Sequence, residues 1–138
     1  MQRYNSKVAM NFYTRKLVKP EDLNSNNTLF GGSLLRWVDE ESAIYAIVQL
    51  GTNRCVTKYM SEINFVSSAK QGDVVEIGIK ATAFGRTSLT LMCEVRNKIT
   101  QNSHYLYGCS IERGIKNGLV RFVFTKQNFV YSCVPNIF

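Results

Sequence analysis

The chain is short of histidine and proline. It holds one histidine, His104, and two prolines, Pro20 and Pro135. A lone imidazole with no serine or cysteine in a known order beside it gives little support to a nucleophilic triad. With so few prolines, no Gly/Ser run and no internal repeat, nothing marks a linker. Residues 1–138 are therefore expected as one domain, with 127–138 as a loosely packed tail. Long apolar runs are also missing. None reaches the roughly 18 residues needed to cross a bilayer. The stretch Met1 to Asn11 lacks the apolar centre of a secretion signal, so a cytoplasmic location without a membrane partner is expected. The four cysteines, Cys55, Cys93, Cys109 and Cys133, form no CxxC pair. No metal site is expected, and buried thiols are the reading preferred.

Acid is absent from the first twenty residues, where Arg3, Lys7, Arg15, Lys16 and Lys19 stand uncountered. Residues 21–50 reverse this, with Glu21, Asp22, Asp39, Glu40 and Glu41 against Arg36 alone. The whole chain carries a net charge of +7. Such a surface attracts phosphates. That would suit nucleic acid or a nucleotide-bearing small molecule. No zinc finger, RNA-binding motif or block of like charge favours nucleic acid, which is not expected as a partner.

What is present is a clear change of period. Ala9 to Val18 alternate weakly and predict a first strand, ended by Pro20 and Glu21-Asp22. Gly31-Gly32 open a helix that runs to about Leu50, where Gly51 sits at a natural helix end. Apolar residues surround most of that helix, which predicts a buried one. Asp39 shares its side with Leu35, Ala43, Ala46 and Leu50. After the helix the period falls to two. Arg54 to Phe65 predict a long strand. Val74 to Phe84 and Thr87 to Arg96 predict two antiparallel strands, each with one buried face, joined tightly at Gly85-Arg86. Tyr105 to Ile111 and Leu119 to Lys126 are further strand candidates. The order β-α-β-β-β with one or two more strands predicts an α+β fold, a sheet wrapped around one long helix.

Four segments in this order resemble the acyl-CoA hydrolase branch of the hotdog-fold thioesterases. Residues 19–39, KPEDLNSNNTLFGGSLLRWVD, resemble that family's passage from the first strand into the central helix. The matching positions are Asp22, Asn24, Phe30, Gly31-Gly32 and Asp39. Val56-Thr57 with Ile63-Asn64-Phe65, then Gly72-Asp73-Val74-Val75-Glu76, and finally Gly85-Arg86-Thr87-Ser88 continue the likeness. It covers roughly residues 13–98. Asn27 departs from it by standing where glycine is common, and residues 101–138 cannot be matched.

The resemblance implies a hotdog fold and hydrolysis of a fatty acyl-CoA thioester by water, with no metal or other cofactor. The N–H groups near Phe30, Gly31 and Gly32 precede the first intrahelical bond. They lie at the positive end of the helix dipole. Donors held in this way are commonly worth about 3–4 kcal/mol to an oxyanion transition state. The alternative is a helix start with no ligand. Asp39 is the expected general base, or else the nucleophile; the alternative is a structural aspartate paired with Arg36 or capped by a neighbour. Asn24 is implied to face Asp39 of a second copy and to orient water or carbonyl, although an asparagine here also suits a turn. Thr28 and Phe30 would line the same site. Arg86, Thr87 and Ser88 would touch the pantetheine or phosphates of coenzyme A, or else form a solvated turn. The family joins two copies through a continuous sheet, so a homodimer is implied, with a homohexamer (a trimer of dimers) as the larger assembly. A different class of function also fits: a non-catalytic hotdog module binding acyl-CoA or another acyl carrier.

Overall fold

The computed structural model describes residues 2–3, 9–58, 60, 63, 65, 67–100, 115–116, 119–120 and 129–133. Two short strands, β1 (Gln2–Arg3) and β2 (Thr14–Leu17), precede a 3-10 turn at Pro20–Asp22. Helix α1 (Gly31–Leu50) follows, then β3 (Cys55–Thr57), β4 (Val74–Phe84) and β5 (Leu89–Asn97). Beyond residue 100 come β6 (Ile115–Lys116), β7 (Leu119–Val120) and β8 (Phe129–Cys133).

Six strands make one antiparallel sheet in the spatial order β1-β4-β5-β8-β3, with β2 also on β4. The remaining pair, β6 and β7, is a separate small ladder. Helix α1 packs on one face of the sheet and meets β3, β4, β5 and β8. The inward positions of the central hairpin are buried as its period of two predicts, but its other face is not open throughout: Glu76, Gly78 and Thr90 are buried too. Val75, Ile77, Ile79 and Ala83 of β4 and Leu89, Leu91, Cys93 and Val95 of β5 are buried. All of these but Ala83 meet Leu34, Trp37, Val38 and Ala46 of the helix in the core. Removing this apolar surface from water is the main source of stability, at about 25 cal/mol per Å².

The helix bounds agree with expectation for a local reason. Gly51 adopts φ +64° and its N–H donates to the Ile47 carbonyl at 2.9 Å, which ends the helix in a left-handed cap. Burial of the helix does not agree. Ile44 is 54% and Val48 70% exposed within this single chain. One helix against one sheet covers one side only, so the opposite side needs some other cover or stays wet.

The hairpin connection is longer than the tight turn expected. Phe84 pairs with Leu89, and the Gly85 N–H donates to the Ser88 carbonyl at 2.8 Å. A bulge between Ala81 and Ala83 bends β4. The Tyr45 hydroxyl accepts the Ala81 N–H at 3.2 Å, so the bulge is tied to the helix. Only Cys55–Thr57 of the long strand expected over Arg54–Phe65 is a strand among the described residues. Tyr105–Ile111 lies outside the described residues, and of Leu119–Lys126 only Leu119–Val120 is described. Within 127–138, Phe129–Cys133 is a strand paired on both sides, to β5 and β3.

Candidate active site

The loop from Asp22 to Phe30 delivers the chain to the helix, and its own polar groups shape it. Asp22 is buried; its Oδ2 accepts the Lys19 N–H at 3.1 Å, and its carbonyl accepts the Phe30 N–H at 2.8 Å. The Asn24 N–H donates to the Thr28 carbonyl at 2.8 Å, and the Asn27 N–H to the Asn24 carbonyl at 3.0 Å. Asn27 takes φ +56°. This is the left-handed angle that glycine adopts freely and asparagine tolerates, which explains how Asn27 substitutes for the family's glycine.

The Asn24 side chain closes this loop. Its Oδ1 accepts from the N–H groups of Asn26 at 2.9 Å and Thr28 at 3.2 Å, and its Nδ2 donates to Thr28 Oγ1 at 3.0 Å. The turn-forming alternative is thus what the single chain displays. Thr28 belongs to the same small network.

At the helix start, Leu34 makes the first intrahelical bond, its N–H donating to the Phe30 carbonyl at 3.2 Å. The N–H groups of Gly31, Gly32 and Ser33 therefore lie ahead of the intrahelical ladder. The Phe30 amide does not join them, because the Asp22 carbonyl has taken it; of the three donors expected, the two glycines remain, and Ser33 follows them. Both glycines let an aromatic ring lie close to the helix start. A Cβ on Gly31 would lie 3.0 Å from the Phe65 ring, and one on Gly32 would run into the ring of Phe30. Phe30 and Phe65 are each about half exposed, at 55% and 50%.

Asp39 follows Gly32 on the same side of the helix, about two turns and roughly 10 Å along the axis. Its side chain leans back toward the helix start, as helical side chains do. It is half-buried, and Thr57 Oγ1 on β3 donates to its Oδ1 at 2.6 Å. Arg36, the partner considered as an alternative, is an exposed residue of the helix, and the Thr57 bond is of the kind expected for an aspartate capped by a neighbour. Thr57 was not singled out as a site residue. It lies in the Val56-Thr57 segment that carries part of the family likeness, but a hydroxyl on a strand is too common a feature to mark it as a site residue.

These residues fall within a recognised family. Residues 26–103 match the family model of the thioesterase superfamily. The chain belongs to the thioesterase superfamily. A Buchnera aphidicola protein (subspecies Baizongia pistaciae) named as an uncharacterized acyl-CoA thioester hydrolase is 33% identical over 91 residues, covering 66% of this chain and 67% of that protein. A Haemophilus influenzae protein of the same description is 33% identical over 81 residues, and the chain spans about half of it, 52%. Among solved structures, a hexameric thioesterase from Yersinia pestis superposes with a TM-score of 0.69 at 24% identity, covering 94% of this chain and 91% of that one. The α+β architecture is the hotdog fold of this superfamily.

Two further features of this thioesterase-superfamily member stand outside the 22–39 segment. Arg86 is exposed, while Thr87 and Ser88 are half-buried in the β4–β5 connection. No hydrogen bond described joins them to the 22–32 loop or to Asp39. The second is a charged cluster on the sheet face opposite the helix. Glu76 is 1% exposed, with Arg15 Nε at 2.9 Å, Arg96 Nε at 2.7 Å and Lys98 Nζ at 3.8 Å from its oxygens. Burial pushes its carboxyl up, but hydrogen bonds from both guanidinium groups, with the charges of Arg96 and Lys98, more than reverse this and hold it below the usual glutamate range. Arg96 in turn lies 3.7 Å over the Phe12 ring.

Proposed function

We propose that the chain hydrolyses fatty acyl-CoA to free acid and coenzyme A in a site completed by a second copy of itself. Asp39 takes a proton from water as that water's oxygen bonds to the thioester carbonyl carbon. The carbonyl oxygen gains the negative charge and is held by the N–H groups of Gly31 and Gly32. Collapse of the tetrahedral species breaks the carbon–sulfur bond, and the departing thiolate recovers the proton. Asn24 of the partner subunit orients the water, since an amide both donates and accepts. The observation that carries this reading is the 2.6 Å bond from Thr57 to Asp39, which holds a carboxylate on the helix side that also bears Gly32.

Several facts support it. The relatives from Buchnera and Haemophilus are named acyl-CoA thioester hydrolases, as is one from Escherichia coli. An acyl-CoA hydrolase from Staphylococcus aureus has been solved with an asparagine, an aspartate or a threonine changed to alanine. The first two stand as far apart in that chain as Asn24 and Asp39 do in this one. The net charge of +7 favours a substrate bearing nucleotide phosphates. Assembly is supported at the sheet end that holds Thr57. Among the described residues β3 pairs only with β8, which leaves an open edge beside Asp39, and open edges invite pairing. The exposed Ile44 and Val48 need cover as well, and similar folds occur in hexameric thioesterases.

Thiol release from a panel of acyl-CoAs tests the chemistry, with Asp39→Asn as the control that should be nearly silent. Unchanged release by that variant refutes the assignment. Mixing dissociated Asp39→Asn and Asn24→Ala chains tests the shared site. Reassociated mixtures should recover part of the wild-type rate; if none returns although each variant still assembles, the two residues do not meet across subunits.

A further inference from the structure

We propose that Cys55 and Cys133 form a reversible cross-strand disulfide, a redox modification site on the strand that positions Asp39. The evidence is the register of β3 against β8, in which Cys55 stands directly opposite Cys133, Val56 opposite Ser132 and Thr57 opposite Tyr131. Directly opposed residues of an antiparallel pair have Cα atoms about 4.5 or 5.5 Å apart, depending on the hydrogen-bonding pattern. Either spacing falls within the roughly 4.4–6.8 Å that a disulfide spans. Nothing in the linear order hints at this. The two cysteines are separated by most of the chain, and they become neighbours only because β8 inserts between β5 and β3.

The other described cysteine marks the contrast. Cys93 is fully buried in the core, where desolvation, helped by the charges of Glu94 and Glu41, pushes its thiol up and keeps it protonated. Cys55 is only half-buried, at the sheet edge, with its Sγ 3.2 Å from the Thr52 carbonyl. Oxidation proceeds by thiol–disulfide exchange with a small disulfide such as oxidised glutathione. One protein thiolate attacks a glutathione sulfur and expels a glutathione thiolate. The second protein thiolate then attacks the mixed disulfide at the protein sulfur and expels the other. One sulfur–sulfur bond forms in the protein as one breaks in glutathione, and two electrons pass to the two glutathione molecules released.

The consequence reaches the site through two residues of strand. Thr57, which holds Asp39 at 2.6 Å, follows Cys55 by two positions on the same short strand. A covalent tie at Cys55 fixes the β3–β8 register from which Thr57 projects. The proposal itself is about the two cysteines and stands whether or not the acyl-CoA reading does.

The test is oxidation of the intact protein with excess oxidised glutathione, followed by alkylation, non-reducing digestion and mass spectrometry. The expected product is one peptide pair joining Cys55 to Cys133 within a single chain, reversed by dithiothreitol. It should persist in Cys93→Ser and vanish in Cys55→Ser and in Cys133→Ser. A thermal melt of the oxidised protein should lie several degrees above the reduced one, since the link closes a long loop in the unfolded chain, and this shift should be absent in both single serine variants. Full alkylation of both cysteines after oxidation overturns the proposal. So does a link from Cys55 to Cys109 or to Cys55 of another chain in place of Cys133.

Discussion

Glu76 and Asp39 are both carboxylates set into the folded body, on opposite faces of its layers. Glu76 lies on the outer face of the sheet, almost sealed from water, and three cations compensate it. Asp39 lies on the helix, half open, and its described hydrogen bond comes from a neutral hydroxyl. A carboxylate bound by two guanidinium groups has its lone pairs engaged and is a poor base. Asp39, half-buried and described with a neutral hydroxyl on Oδ1, stands in a different setting from that sealed, cation-bound acid. On the proposed function, it is the surroundings and not the residue type that divide the structural acid from the catalytic one.

The largest effect expected along this division is from Asp39→Asn. It should cut turnover by about 10²-fold or more, as loss of a general base commonly does, while the melting temperature stays near that of the parent. Steady-state thiol release and a thermal melt read the two quantities. Glu76→Ala should do the reverse. Removing one partner from a buried charged cluster costs about 3 kcal/mol, toward the low end because the cations stay partly exposed, and kcat of the folded enzyme should hold. A large fall in kcat at unchanged stability would erase the distinction drawn between the two acids.

A smaller effect separates them by pH. The folded-state pKa of Glu76 is depressed, so its stabilising contribution is present above the ordinary glutamate value of 4.5 and is lost as pH falls through the lower folded value. The stability gap between the parent and Glu76→Gln, measured by urea unfolding, should therefore narrow as pH drops below about 4.5. Thr57→Val should lower kcat about tenfold by releasing Asp39, consistent with the worth of a hydrogen bond to a charged group, and Thr57→Ser should restore most of it. The smallest change is Gly51→Ala, at the left-handed helix cap. It should cost about 1 kcal/mol of stability and leave catalysis alone, since it touches neither acid.

Much of this was legible in the sequence where one element answers to its own residues. Gly31-Gly32 and Gly51 bracket the helix, and the packing of Gly32 beside Phe30 and the left-handed angle at Gly51 are local demands. The alternation in Val74–Phe84 identifies the buried face because successive strand residues must point to opposite sides. The motif from Asp22 to Asp39 lies in one stretch of chain, so its likeness to a known family could be seen directly. Glu76 was harder. Its place in the alternation marks it as facing away from the helix, which ordinarily means water. It is dry because Arg15 from β2 and Arg96 from β5 close over it, and Gly78 nearby leaves room for Met10 and Phe12 to lie against the sheet. The Phe30 amide was misread for a similar reason, as its partner is a carbonyl eight positions earlier that the loop brings back.

The amino-acid order by itself determined the helix, the central hairpin, the loop that joins the first strand to the helix, and the acid that its spacing from Gly-Gly puts on the same helix side. Those depend on contacts near in sequence and on a repeat of 3.6 or two residues. Only the tertiary structure decided that β8 enters between β5 and β3, that Thr57 grips Asp39, that Glu76 is sealed by cations, and that Cys55 meets Cys133. Each of these joins residues far apart along the chain, and such pairings are chosen by the competition of whole strands for the sheet, which no local pattern records.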